Sequence, residues 1–149
     1  MEYDDLMRVA LKEAELAIPH GDVPVGALVV VGGEVIASRH NERELTRDPT
    51  AHAEVLAMRD ACQTLGTWRL DTATLISTLE PCTMCAGAAV NARVQRVVFG
   101  APDLEAGAVG SVYNFGDDPR LRHTFDVHQN VLGEQCATAL KSFFASLRP

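Results

Sequence analysis

A layered α/β domain is the architecture this 149-residue chain predicts. Two observations carry it. Amphipathic helical stretches stand at both ends, and short apolar, partly β-branched runs alternate with helical segments between them. The length suits one hydrophobic core, so residues 1–149 read as a single domain. The apolar share of 47% is that of an ordinary globular chain. No apolar run reaches the roughly 18 residues of a membrane span.

In order, Tyr3, Leu6, Met7, Ala10, Ala14 and Ala17 recur at helical spacing, and Pro19-His20-Gly21 ends that helix. Ala27 to Val31 and Glu34 to Arg39 flank Gly32-Gly33, which is a hairpin signal. Residues 41–49 read as a polar loop, after which Thr50 is placed to cap a helix running to about Leu65. Ala73 to Thr78 reads as a third strand, and Pro81 suits the first position of another helix. Val94 to Phe99 is a fourth strand and Thr124 to Val127 a fifth, with a Gly-rich irregular stretch, 100–116, between them. Leu140, Phe143, Phe144 and Leu147 mark a C-terminal amphipathic helix.

Two short runs carry the chemistry. Thr50-Ala51-His52-Ala53-Glu54 offers an imidazole and a carboxylate two residues apart. Glu80-Pro81-Cys82-Thr83-Met84-Cys85 offers two thiols three apart, on one helical face and near a helix N-terminus that favours thiolate. His52, Cys82 and Cys85 make three good zinc ligands, one fewer than a structural site takes, so a fourth position is left for water. A nearby Glu54 is then free to carry protons, and metal-activated water is hydrolytic. Each half has a bland reading. A lone His on a helix is usually a satisfied polar group, a lone C-x-x-C is also a redox pair, and a Glu in a first turn is favoured there without any chemistry. Cys62 and Cys136 lie on apolar helix faces as small hydrophobes, with a fourth-ligand role as the alternative.

H-x-E with P-C-x-x-C is the signature of zinc nucleobase deaminases. The blocks Asp22 to Ala27, Asn41, Asp48 to Glu54, Thr78 to Ala88 and Arg96 to Ala101 resemble, in order and spacing, the bacterial tRNA-specific adenosine deaminases, over about Val23 to Phe144. The resemblance implies a five-stranded mixed sheet flanked by helices, the cytidine-deaminase-like three-layer fold. It implies one Zn2+ per subunit on His52, Cys82 and Cys85, Glu54 as catalytic proton shuttle, and conversion of adenosine to inosine at the wobble position of tRNA anticodon loops. It also implies a homodimer. Asn41, Val23, Pro24, Val25, Gly26, Ala53 and Asp103 become expected substrate-binding residues, although Asn41 and Asp103 also suit plain turn chemistry. Trp68 is open between stacking a base and serving as core or dimer contact. Arg122, Gln135 and Glu105 depart from the family's usual residues, which touches RNA grip rather than the zinc chemistry.

Charge points the other way from nucleic acid: the net charge is −7, with 13 Lys and Arg against 20 Asp and Glu. Arg39, Arg43, Arg47, Arg120 and Arg122 are the candidate phosphate contacts, with solvated loop charges as the bland reading. The acidic start Met1-Glu2-Tyr3-Asp4-Asp5 is no signal peptide, and the cysteine usage fits a reducing compartment, so cytoplasm is expected. Two rivals stand beside the leading expectation. One is a free nucleobase or nucleoside deaminase of the same fold, acting on guanine or cytosine. The other is a catalytically silent zinc-stabilised RNA-binding module, against which the intact Glu54 speaks.

Overall fold

The computed structural model describes residues 2–148. Its elements run α1 (Tyr3–Glu15), β1 (Gly26–Val31), β2 (Glu34–His40), α2 (Arg43–Thr46), α3 (Ala53–Leu65), β3 (Ala73–Leu79), α4 (Thr83–Ala92), β4 (Arg96–Ala101), β5 (Asp126–His128) and α5 (Gly133–Ser146). The five strands form one mixed sheet in the order β2-β1-β3-β4-β5. β1 is antiparallel to both β2 and β3, whereas β3, β4 and β5 run parallel.

Both faces of the sheet are covered, which is why its central strands read as continuous apolar runs rather than alternating ones. On one face Leu28, Val30, Ile76 and Val98 pack with Leu6, Met7 and Ala10 of α1 and Cys136 of α5. On the other, Ala27, Val29, Leu75, Val97 and Phe99 pack with Ala53, Ala57 and Ala61 of α3 and Ala86, Ala89 and Val90 of α4. The small side chains on α3 and α4 let both helices lie close to the strands. This brings their N-termini together where β3 ends.

Several boundaries move from expectation. The α3 helix starts two residues later than a Thr50 cap implies, because Thr50 spends its hydroxyl and its amide on Asp48 Oδ1 (2.7 and 2.8 Å) and His52 occupies the N-cap. Pro81 likewise stands before the N-cap of α4, which is Cys82. The supposed loop 41–49 holds the four-residue α2, capped by a distant side chain: buried Asp22 accepts from Glu44 N (2.6 Å) and Leu45 N (3.1 Å). The fifth strand is Asp126–His128, exposed at every position. On α5, Cys136 and Phe143 are buried, but Phe144 and, just past the helix end, Leu147 are exposed. Trp68 is not core. It stands 58% exposed with the Arg69 guanidinium over its ring. Cys62 is half-buried, not enclosed.

Candidate active site

Two helix starts build the site. His52 is the N-cap of α3 and Cys82 the N-cap of α4, and neither side chain caps its own helix. They turn toward each other instead. The His52 Nδ1 lies 3.6 Å from Cys82 Sγ and 3.5 Å from Cys85 Sγ. All three donor atoms fall within 4.8 Å of one another, close enough to share one metal ion. One imidazole nitrogen and two sulfurs form a donor set suited to a soft or borderline cation.

The protons in this cluster are displaced from their ordinary places. The Cys82 thiol is pulled down to about 3, first by the hydrogen bond from Cys85 and then by the one from His52. Cys85 moves far upward, chiefly because its proton is held against Cys82 and then because it is buried. His52 is raised by its hydrogen bond to Cys82. These neighbours favour the thiolate form at Cys82. A metal ion would displace the protons that remain, so binding releases protons to solvent.

Glu54, one residue into the same helix, is 4% exposed. Burial pushes its carboxyl up to about 7, while its own backbone N–H, His52 and the Cys85 thiol pull the other way. A group that titrates near neutral pH gives and takes a proton readily. Glu54, Ala53, His52 and Cys82 line a cavity of about 190 Å3, with Val23, Val25, Asn41, Arg43, Leu79, Glu80, Asp103 and Ala106 around the rest of it. That is below the roughly 300–1,000 Å3 of sites for drug-sized ligands and suits one planar base.

The MafB19-like deaminase family matches residues 1–148. The tRNA-specific adenosine deaminase of Bacillus subtilis is 49% identical over 149 residues, covering 99% of this chain and 92% of that protein. The chain belongs to the tRNA-specific adenosine deaminase family. A solved structure from work on A-to-I editing by tRNA:A34 deaminases superposes with a TM-score of 0.88 at 43% identity, covering 91% of this chain and 99% of the other. A guanine deaminase from Bacillus subtilis is more distant, with a TM-score of 0.67 and 31% identity, covering 99% and 96%.

Of the other expected residues in this deaminase, Val23, Val25, Ala53, Asn41 and Asp103 line the cavity. Pro24 and Gly26 do not. Strand alternation turns Gly26 toward α1, where any side chain would overlap the Ala10 carbonyl. The Asn41 amide braces the rim, donating to Val23 O (3.2 Å) and accepting from Arg43 N (3.1 Å). Asp103 Oδ1 accepts from Glu105 N and Ala106 N, both at 3.1 Å.

The arginines divide. Arg39 is tied to Asp60 (3.0 Å) and to both oxygens of Glu42 (3.0 Å each), and Arg120 is held by Asp118 at 2.9 and 2.7 Å. Those two are paired within the chain, Arg39 half-buried and Arg120 at the surface. Arg43 stands at the cavity, 3.6 Å from Glu44, and Arg43, Arg47 and Arg122 are exposed. Leu79, Glu80 and Ala106 are cavity residues that sequence reasoning missed. Glu80 alone had a visible signal, an acid at the end of an apolar strand directly before Pro81-Cys82. No helix among the described residues is long and apolar enough to cross a membrane.

Proposed function

We propose that this protein hydrolyses adenosine to inosine in the anticodon loop of tRNA, at the wobble position, using one Zn2+ per subunit. The observation that carries the reading is the His52, Cys82 and Cys85 cluster set beside buried Glu54 on a base-sized cavity. Membership in the tRNA-specific adenosine deaminase family selects the substrate. Zinc held by these three side chains supplies the Lewis acidity that brings the pKa of water toward neutrality.

The chain's own residues do the rest. Glu54 accepts a proton from the attacking water and delivers protons to the ring nitrogen and to the departing amine. Water adds at adenine C6, the C–N bond to the amine breaks, ammonia leaves and hypoxanthine remains. Val23, Val25 and Ala53 exclude solvent around the ring, while Asn41 and Asp103 hold the sugar and backbone. An anticodon loop presents its bases unpaired, so no duplex has to be opened to fill the cavity. Arg43, Arg47 and Arg122 are the phosphate partners. With a net charge of −7, binding is less salt-steep than that of a basic RNA-binding protein. The active species is a homodimer, with a loop of one subunit completing the other's site. The enzyme works in the cytoplasm, where its substrate is.

The likeness to guanine deaminase supports one rival, turnover of a free base. One assay separates the two. The protein is given an anticodon stem-loop, free adenosine and free guanine, and inosine and ammonia are measured. The stem-loop is expected to be at least about a hundredfold better than free adenosine, with no ammonia from guanine. Equal turnover of free base and stem-loop would move the assignment to the rival. Light scattering should give a mass near twice 16.1 kDa. A monomer at micromolar concentration would refute the dimer.

A further inference from the structure

Glu80 is 2% exposed, and no ion pair to it is found among the described residues. A carboxylate out of water needs donors around it. All four come from one segment, residues 103–111. Oε1 accepts from Asp103 N (3.1 Å) and the Ser111 hydroxyl (2.5 Å). Oε2 accepts from Val109 N and Ser111 N, both at 3.0 Å. Gly107 lies directly on the carboxylate, and a Cβ there would overlap it. The same segment is pinned to the start of α4 by Ala108 N to Pro81 O (2.9 Å) and by the bridge between Cys82 and Gly107. It carries Asp103 and Ala106, which form one wall of the cavity.

We propose that Glu80 is a positioning residue: its carboxylate folds the 103–111 loop around itself and thereby sets where Asp103 and Ala106 stand relative to the donor cluster. This rests on the reading of the cavity as the site for the target nucleotide. The segment holds no helix and no strand of its own; beyond the turn at Asp103 and the contact with Pro81, its backbone donors at Asp103, Val109 and Ser111 are gathered on the Glu80 carboxylate. Glu80 touches no reacting atom in this scheme. It determines how well substrate is held, not how the proton moves.

Glu80→Gln tests this, because one carboxylate oxygen becomes an NH2 that faces donors. The variant should keep its zinc and raise KM for the anticodon stem-loop by roughly tenfold or more, with kcat within about threefold. Amide exchange at Asp103, Val109 and Ser111 should speed by at least about tenfold. Ser111→Ala removes only the hydroxyl donor and should move KM less, in the same direction. That variant decides the matter if Glu80→Gln does not fold. In an Asp103→Ala background, Ser111→Ala should cost less than it does in wild type, since one of the two positioned residues is already gone. A loss in kcat with KM unchanged, unaltered exchange in the loop, or full additivity of the Asp103 and Ser111 changes would overturn the proposal. If wild-type protein turns over guanine and not the stem-loop, the functional reading fails instead, and the exchange measurement still decides whether Glu80 holds the loop.

Discussion

Glu54 and Glu80 border the same cavity and are buried to nearly the same degree, at 4% and 2% exposure. Their surroundings differ. Four donors of one loop converge on Glu80, and it is fixed in place. Burial dominates at Glu54, whose carboxyl is pushed up to about 7 against the pull of its own backbone N–H, His52 and the Cys85 thiol. Burial alone therefore does not tell what a carboxylate is for. The partners do: a carboxylate ringed by backbone donors organises backbone, and one whose burial outweighs its partners is poised to exchange a proton.

The comparison can be broken first at the His52, Cys82 and Cys85 donor cluster beside Glu54. Cys82→Ala and Cys85→Ala should each lose zinc and all measurable inosine formation, and should unfold more readily, because metal binding energy at such a site is also folding energy. Metal analysis with thermal melting checks this. Full zinc retention in both variants would remove the basis for a metal site.

Next in size is Asn41→Ala, which removes the brace between Val23 and Arg43 at the cavity rim. A loss of about a hundredfold in kcat/KM is expected, as for a misplaced substrate contact. It should exceed the loss from any single Arg→Ala. Arg43→Ala, Arg47→Ala and Arg122→Ala should each lower the salt slope of RNA binding by about one. Arg39→Ala should not, since its guanidinium is already engaged by Asp60 and Glu42.

A smaller effect sharpens the contrast most, because the same substitution should change stability in opposite directions. In chelator-treated protein the Glu54 carboxyl sits near 7, above its ordinary 4.5. The folded chain therefore holds that proton more tightly than the unfolded chain does. Folding carries no penalty from the buried charge below about pH 4.5, and stability falls as pH rises through about 7. Glu54→Gln removes the charge, so it should stabilise by on the order of 2–3 kcal/mol at pH 8 and by almost nothing at pH 4. Glu80→Gln should instead destabilise by about 1–3 kcal/mol at pH 8, from donors left facing an NH2. Denaturant melts at the two pH values give both numbers. Two shifts of the same sign at pH 8 would end the distinction.

Local chemistry was legible in the chain, and side chains that act at a distance were not. His52, Cys82 and Cys85 announce themselves by residue type and by standing near helix starts, and the central strands by apolar runs covered on both faces. The β5 strand is exposed throughout, so it leaves no pattern of burial to read. The short α2 helix was hidden because its cap, Asp22, lies some twenty residues earlier. The 103–111 loop was unreadable for the same reason, since Glu80 organises it from the other side of α4. Thr50 misled because a nearer partner, Asp48, takes its hydroxyl. Phe144 and Leu147 follow a helical period but lie off the face that α5 turns to the sheet.

The most direct test sets Glu54→Gln against wild type, with bound zinc and inosine formed from the anticodon stem-loop measured on the same samples. The account predicts full zinc occupancy and a loss of about a thousandfold or more in kcat, as expected when a proton carrier is removed and the metal site is left intact. Turnover within tenfold of wild type at full zinc occupancy would contradict it.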